Sequence, residues 1–198
     1  LSVTATSVTT LLAPIVTPAL TLWLAGAYLP VSFNSLFLSI VKIVLIPIIL
    51  GFAVQYFFET TTQKAVGLLP LISVVGIIGV LTAVVANNTE NIINSGLLIL
   101  LVVVLHNVLG YVIGFFIGKL FRFNLADQKT TSIEVGMQNS GLAAALATTH
   151  FDPIAAVPGA IFSIWHNFSG SIVENFFSKM SEDKNKKKSK VYTVETEI

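Results

Sequence analysis

The stretch Ile133-Glu134-Val135-Gly136-Met137-Gln138-Asn139-Ser140-Gly141 decides how this chain is interpreted. It lies inside a long apolar segment, residues 126–149, and places a carboxylate, two amides and two glycines within eight positions. An ionisable group inside a bilayer is costly unless it is paired. Gly136 and Gly141 flank a point where a helix can open, and lipid tolerates opened backbone only where it lines a protein cavity. We therefore predict a broken transmembrane helix here.

The residues at this break supply one kind of ligand. A carboxylate, amide oxygens and freed backbone carbonyls are hard oxygen donors, the set that suits an alkali cation. Interrupted membrane helices in transporters coordinate coupling ions in this way, close to the substrate. Our first hypothesis is a cation site at the broken helix, beside a substrate pocket.

Composition places the chain in a membrane. Of its 198 residues, 54% are hydrophobic and 11% are charged, whereas a soluble domain averages about 25% charged residues. The chain has no cysteine, so there is no disulfide framework or thiol chemistry. It begins at Leu1, without methionine and directly in an apolar segment, and we expect that an N-terminal part of the protein precedes it.

The order of apolar and polar stretches predicts an all-α membrane protein with six transmembrane helices, the fifth one broken. Glu59–Lys64, Asn87–Asn91 and Thr148–Pro153 are expected to be polar loops between spans. The expected spans are residues 1–29, 35–58, 65–86, 92–120, 126–149 and 154–177.

Polar side chains elsewhere in the spans could have either a functional or a purely structural role. Ser2, Thr6 and Thr9 or Thr10 share one face of the first helix, where they either line a site or bond back to their own backbone. His106 and Asn107 lie midway along the fourth segment. They make either an interhelical hydrogen bond or a proton relay or substrate contact.

Basic residues give the orientation. The tail, residues 178–198, is rich in lysine and is expected to be disordered and cytoplasmic; it suits a topology signal better than a nucleic-acid partner. With six spans, the lysines and arginines outside the spans then fall on the cytoplasmic side, and the opposite loops carry only Glu90 and Asp152, as the positive-inside rule requires. We expect a multi-pass protein of the cell membrane. The residues on the cytoplasmic side are Lys64, Lys119, Arg122, Lys129 and Lys179.

Two stretches resemble a known family. Glu-Val-Gly-Met-Gln-Asn-Ser-Gly-Leu-Ala-Ala-Ala, residues 134–145, is similar to the broken ninth helix of the bile acid:sodium symporter family, in its bacterial type. Leu-Ser-Val-Thr-Ala-Thr-Ser-Val-Thr-Thr-Leu-Leu-Ala-Pro-Ile-Val-Thr-Pro, residues 1–18, resembles that family's fifth helix. The resemblance implies a ten-helix fold of two inverted five-helix repeats, of which this chain supplies helices five to ten.

The resemblance also implies how the parts move and where the missing part belongs. Residues 1–29 and 92–177 would belong to a moving core, and residues 35–87 would form two helices of a panel against which it moves. Family helices one to four, two of which complete the sodium sites, have no counterpart here. We expect that the chain is truncated; the alternative is that another copy supplies the missing half.

The family's binding residues can be transferred by motif position. One sodium ion would be held by Ser2, Thr6 and Glu134. A second would be held by Glu134, the backbone carbonyls of Val135 and Met137, and Gln138. Asn139 and Ser140 would contact the substrate, which in the family is an organic anion such as a bile acid or a related small carboxylate or sulfate.

The expected function is sodium-coupled symport of an organic anion across a lipid bilayer, with sodium as coupling ion and no other cofactor. Proton coupling through Glu134, and an uncoupled carrier or channel of the same fold, are the alternatives. An enzyme is not expected, because His106, His150 and His166 lie on separate segments without metalloprotease spacing.

Overall fold

Every regular element of the computed structural model is a helix within residues 1–29 and 31–180, which are the residues that the structure describes. The predicted all-α class is confirmed for this part of the chain. The helices are α1 (Ser2–Ala25), α2 (Phe33–Ile40), a π-helical turn (Val41–Leu45), α3 (Ile46–Phe57), α4 (Glu59–Ala65), α5 (Leu69–Asn87), α6 (Thr89–Leu120), α7 (Leu125–Gly136), α8 (Ser140–His150), a 3-10 turn (Pro153–Ala156) and α9 (Val157–Lys179).

Four helical stretches in the described residues are long and apolar enough to cross a membrane: Ser2–Ala25, Phe33–Phe57, Leu69–Asn87 and Thr89–Leu120. Their large apolar side chains face outward; Ile72 and Ile78 of α5, for example, are 63% and 56% exposed. Such surface suits lipid better than water. Within Phe33–Phe57, the π-helical turn lies just before Pro47, whose missing N–H interrupts the regular hydrogen-bond ladder.

The three predicted loops are shorter than expected. Glu59–Lys64 was predicted to be a loop, but it belongs to α4, where Thr62 N–H donates to Phe58 O at 2.9 Å. The second loop contracts to Asn88, which bonds back to α5 through its side chain, to Val84 O at 2.9 Å. Polar side chains that satisfy the last carbonyls of a helix make a longer loop unnecessary.

Two further helices, α8 and α9, also extend into residues that were predicted to be non-helical. α8 continues to His150, so the loop predicted for Thr148–Pro153 is only Phe151 and Asp152 before the 3-10 turn. α9 runs to Lys179, so the first two residues of the expected disordered tail, residues 178–198, are helical. The rest of that tail, from residue 181, lies outside the described residues.

α8 lies at the centre of the packed part of the chain. Ala147 of α8 packs with Val84 of α5 and Val157 of α9 in one buried cluster. On another side, Leu146 packs with Leu36 and Ile40 of α2 in a second cluster. Both clusters bring residues that follow the predicted break into the interior of the fold.

α6 and α7 approach each other along three glycines spaced four residues apart, Gly110, Gly114 and Gly118. A Cβ atom added at Gly114 would lie 2.6 Å from Thr131 O, and one at Gly110 would lie 3.0 Å from Val135 O. Small residues at this spacing let membrane helices pack backbone to backbone. This packing fixes α7, and with it the residues before the break, against the long helix α6.

Lys129 of α7 closes the C-terminal end of α9. Its Nζ donates hydrogen bonds to Phe177 O at 2.6 Å and Met180 O at 2.7 Å. We expect Lys129→Met to lower the free energy of unfolding by about 1.5–3 kcal/mol, the range for hydrogen bonds to charged groups. Thermal unfolding in detergent measures the loss. Lys119→Met, at the exposed end of α6, is the matched control; an equal loss in both variants would contradict this role.

Candidate ion and substrate site

The helix predicted to be broken is broken. α7 ends at Gly136 and α8 begins at Ser140. Between them, Met137 adopts extended backbone angles (φ −91°, ψ 112°), and Asn139 (φ −76°, ψ 72°) caps α8 by accepting the Leu142 N–H at 3.0 Å. The chain therefore leaves the helix for three residues and re-enters it through a side-chain cap.

Asn107 stabilises the opened end of α7. Its Nδ2 donates to Gly136 O at 2.9 Å, and its Oδ1 accepts from Trp165 Nε1 at 3.0 Å and Ser169 Oγ at 2.6 Å. The side chain is fully buried. The interhelical hydrogen bond considered for Asn107 is thus confirmed. This bond satisfies the Gly136 carbonyl, which the break leaves without a helical partner. The sequence around Asn107 did not predict that role.

Replacing Asn107 with leucine should destabilise the protein. Leucine has a similar volume but would leave Gly136 O, Trp165 Nε1 and Ser169 Oγ without this buried partner, and each such group costs about 1–3 kcal/mol. We expect a loss of about 2–4 kcal/mol in thermal unfolding. Asn91→Leu, at an exposed position in the first turns of α6, is the control. Unfolding of Asn107→Leu at the wild-type temperature would contradict the assignment.

Two hydroxyls of α1 meet the carboxylate of Glu134. Ser2 Oγ donates a hydrogen bond to one carboxylate oxygen of Glu134, and Thr6 Oγ1 donates to the other at 2.9 Å. Thr9 instead bonds back to Ala5 O at 3.0 Å. On this polar face of α1, the Ser2 and Thr6 hydroxyls therefore contact the half-buried acid, whereas the Thr9 hydroxyl bonds within its own helix.

Gln138 lies within the break, between the end of α7 and the start of α8. Its Nε2 donates to Val135 O at 3.2 Å, and its Oε1 lies 3.2 Å from His106 Nε2. Met137 N–H donates to Ile133 O at 2.7 Å, an i to i−4 hydrogen bond at the end of α7, so Met137 directly follows the helix. Val135 is the penultimate residue of α7, and Met137 and Gln138 follow the end of that helix.

Oxygen atoms predominate among the groups predicted to hold sodium. The donors are hydroxyl, carboxylate, amide and backbone carbonyl oxygens, all from α1 and the broken helix. Within residues 1–29 and 31–180 there is no cluster of three or more histidine, cysteine or acidic side chains of the kind that holds a transition metal. The side chains and carbonyls named above present oxygen atoms at the start of α1 and at the end of α7.

A cavity, here called the crossover cavity, opens beside the break between α7 and α8. It has a volume of about 230 Å³ and is lined by His106, Gln138, Asn139, Ser140 and the ring of Phe162. The Asn139 side chain is exposed, whereas Ser140 is buried with its hydroxyl 2.7 Å from Ser163 Oγ. The structure thus brings the two residues predicted to contact substrate together at one cavity. The Ser140 hydroxyl, however, already has a hydrogen-bond partner, Ser163 of α9.

Comparison with known proteins identifies the family. Residues 1–95 match the model of the Sodium Bile acid symporter family. The chain is also 55% identical over 184 residues to the "Uncharacterized sodium-dependent transporter YocS" of Bacillus subtilis (strain 168), an alignment that covers 93% of this chain and 57% of that protein. The chain belongs to the sodium bile acid symporter family. The resemblance seen in the sequence is confirmed.

Plant relatives of this family member are more distant. The "Probable sodium/metabolite cotransporter BASS1, chloroplastic" of Oryza sativa subsp. japonica is 34% identical over 181 residues, covering 91% of this chain and 45% of that protein. The BASS1 protein of Arabidopsis thaliana is also 34% identical over 181 residues, covering 90% and 45%. The chain spans about half the length of the curated relatives it matches. As a member of a transporter family with exposed apolar helices, it is a membrane protein.

Proposed function

We propose that this chain works in a sodium-coupled symporter that carries an organic anion. The observation that carries the proposal is the convergence of Ser2, Thr6 and Glu134 beside an interrupted helix. A carboxylate bonded by two hydroxyls, next to opened backbone in a membrane helix, is a ligand set that suits sodium. The relatives named as sodium-dependent transporter and sodium/metabolite cotransporter support the same coupling ion.

In this proposal the ion sites use the residues transferred from the family. Ser2, Thr6 and Glu134 hold one sodium ion. Glu134, the carbonyls of Val135 and Met137, and Gln138 hold another, and the 3.2 Å between Gln138 Nε2 and Val135 O supports the pairing of these two residues. Sodium neutralises Glu134 and so removes the cost of an unpaired acid in the membrane.

The anion is proposed to bind at the crossover cavity, where Asn139 and Ser140 lie at the start of α8. Backbone N–H groups at a helix N-terminus carry partial positive charge and attract anions. Sodium held at the end of α7 adds positive charge next to the same cavity. The sodium-loaded protein then binds the anion more tightly, which is the coupling that symport needs.

The proposed setting is the family's ten-helix architecture of two inverted repeats, with six spans from this chain and helices one to four from the missing half. α1 and α6 to α9 belong to the moving core, and α2 to α5 form panel helices. The protein lies in the cell membrane with its C-terminus in the cytoplasm. Four long apolar helices and the broken helix between α6 and α9 support this arrangement.

Uptake measurements test the proposal. The complete reading frame that contains this chain is reconstituted in liposomes and offered bile acids, small carboxylates and steroid sulfates under an inward sodium gradient. At least one anion is expected to accumulate, and replacing sodium by choline should stop its uptake. Uptake that continues in choline and follows a proton gradient would instead support proton coupling. Uptake without any gradient would support an uncoupled carrier.

A further inference from the structure

The Gln138 side chain is held at both ends of its amide. Its Oε1 lies 3.2 Å from His106 Nε2 on α6, and its Nε2 donates to Val135 O at 3.2 Å. The His106 ring is fixed in turn by an edge-to-face contact with Phe162, at 5.8 Å between ring centroids. Gln138, His106 and Phe162 all line the crossover cavity.

This orientation of Gln138 points its NH2 group at Val135 O. Under the proposed function, both residues are ligands of one cation, and an NH2 group cannot be a ligand. A half-turn about the last side-chain bond exchanges the two ends, which places Oε1 about 3.2 Å from Val135 O. Neighbouring oxygens in an octahedral shell with ligands at about 2.3–2.6 Å lie roughly 3.3–3.7 Å apart. For this pair of ligands, the rotation alone gives a spacing close to that of two oxygens on one ion.

The His106 side chain can form a hydrogen bond with the Gln138 amide in either orientation of that amide. A neutral imidazole has one nitrogen that donates and one that accepts. His106 Nε2–H donates to Gln138 Oε1 in the present orientation. In the other tautomer, Nε2 accepts from the Gln138 NH2 group after the half-turn. Lysine or arginine could only donate, and would hold the amide in one orientation.

We infer that His106 is a positioning residue for the Gln138 amide and remains its partner before and after the amide turns towards a bound sodium ion. This inference rests on the proposed sodium coupling. Groups that orient metal ligands without touching the metal typically change metal affinity 10–100-fold when they are lost. His106 therefore contributes to sodium affinity through a hydrogen bond, not through ring packing.

Two variants separate the hydrogen bond from the packing. His106→Phe keeps a ring against Phe162 and loses the donor and acceptor, whereas His106→Gln loses the ring and keeps both. Sodium binding is measured as the rise in unfolding temperature of the purified complete protein, at constant ionic strength with choline. His106→Phe should raise the half-maximal sodium concentration about 10-fold. His106→Gln should stay close to the wild type. His150→Phe, whose histidine bonds Ser35 and Ser39 away from the site, should respond like the wild type.

Each other result overturns the inference. Wild-type sodium affinity in His106→Phe would show that the hydrogen bond does not position Gln138. A loss in His106→Gln as large as that in His106→Phe would assign the effect to the ring. His106→Leu replaces His106→Phe if the latter does not fold, with the same expected loss. A wild-type protein whose unfolding does not respond to sodium would overturn the proposed function itself, and the inference with it.

Discussion

Glu134→Ala is expected to abolish sodium-dependent uptake. The change removes the charge that Ser2 and Thr6 hold in place and that both proposed ion sites share. Without this carboxylate, each proposed site loses its negatively charged ligand and with it the attraction for the cation. Initial uptake rates under sodium and choline gradients measure the effect. Gln138→Ala should also abolish the sodium dependence.

Two matched variants make the Glu134 result specific. Glu90→Ala removes an exposed carboxylate in the first turn of α6 and should leave uptake unchanged. Glu134→Gln keeps the shape and the acceptor oxygen without the charge, and should lose sodium dependence like the alanine variant. Sodium-dependent uptake that survives both Glu134→Ala and Gln138→Ala would refute the assignment of the ion sites.

Gly136→Ala should have the largest effect on folding. A Cβ atom at Gly136 would lie 2.2 Å from Tyr111 Cδ1. Tyr111 is 6% exposed and its hydroxyl lies 3.2 Å from Ser169 Oγ, so moving the ring aside would disturb this buried contact. Forcing extra atoms into a packed site typically costs about 1–3 kcal/mol. We expect the upper end of this range, because the same methyl group also disturbs the carbonyl that Asn107 satisfies.

The control for this substitution is Gly79→Ala, in the middle of α5. A Cβ atom there meets nothing within 4 Å. Alanine is the better helix former, by about 1 kcal/mol, so Gly79→Ala should be neutral or slightly stabilising. Unfolding temperature and yield from membranes report both variants. A Gly136→Ala protein as stable as Gly79→Ala would show that the contact between α6 and α7 is looser than the structure indicates.

The break itself was predictable because its signal is local. A carboxylate, two amides and two glycines inside an apolar segment are incompatible with a lipid-facing helix. The two glycines nevertheless differ in role. Gly136 lies against Tyr111, whereas a Cβ atom at Gly141 would meet only Asn139 Oδ1, at 3.9 Å. Gly141 lies inside α8, so its presence near the break is not a steric requirement.

The partners that support the break were not predictable from local patterns. The bond from Asn107 to Gly136 and the bonds from Lys129 to the end of α9 join residues 29 to 51 positions apart. Such contacts depend on how the helices pack, which a single sequence does not specify. The spacing of Gly110, Gly114 and Gly118 is the exception, because three glycines four residues apart in an apolar helix already predict a close helix contact.

Loops were overestimated for a related reason. Runs such as Asn87–Asn91 contain the residues typical of turns, and polarity alone predicted a loop there. In the structure, Asn88 and Thr89 instead bond to the last carbonyls of α5, so the chain passes from α5 to α6 through Asn88 alone. Local side-chain bonds to the backbone decided these boundaries, and the hydrophobic pattern decided the helices.

Equilibrium binding of radioactive sodium to the purified complete protein tests the central claim most directly. The wild type should bind sodium saturably, and unlabelled sodium but not choline should displace it. Glu134→Ala, folded as judged by its unfolding temperature, should bind none above background. Equal saturable binding by both proteins would contradict the claim that this acid at the interrupted helix holds the ion.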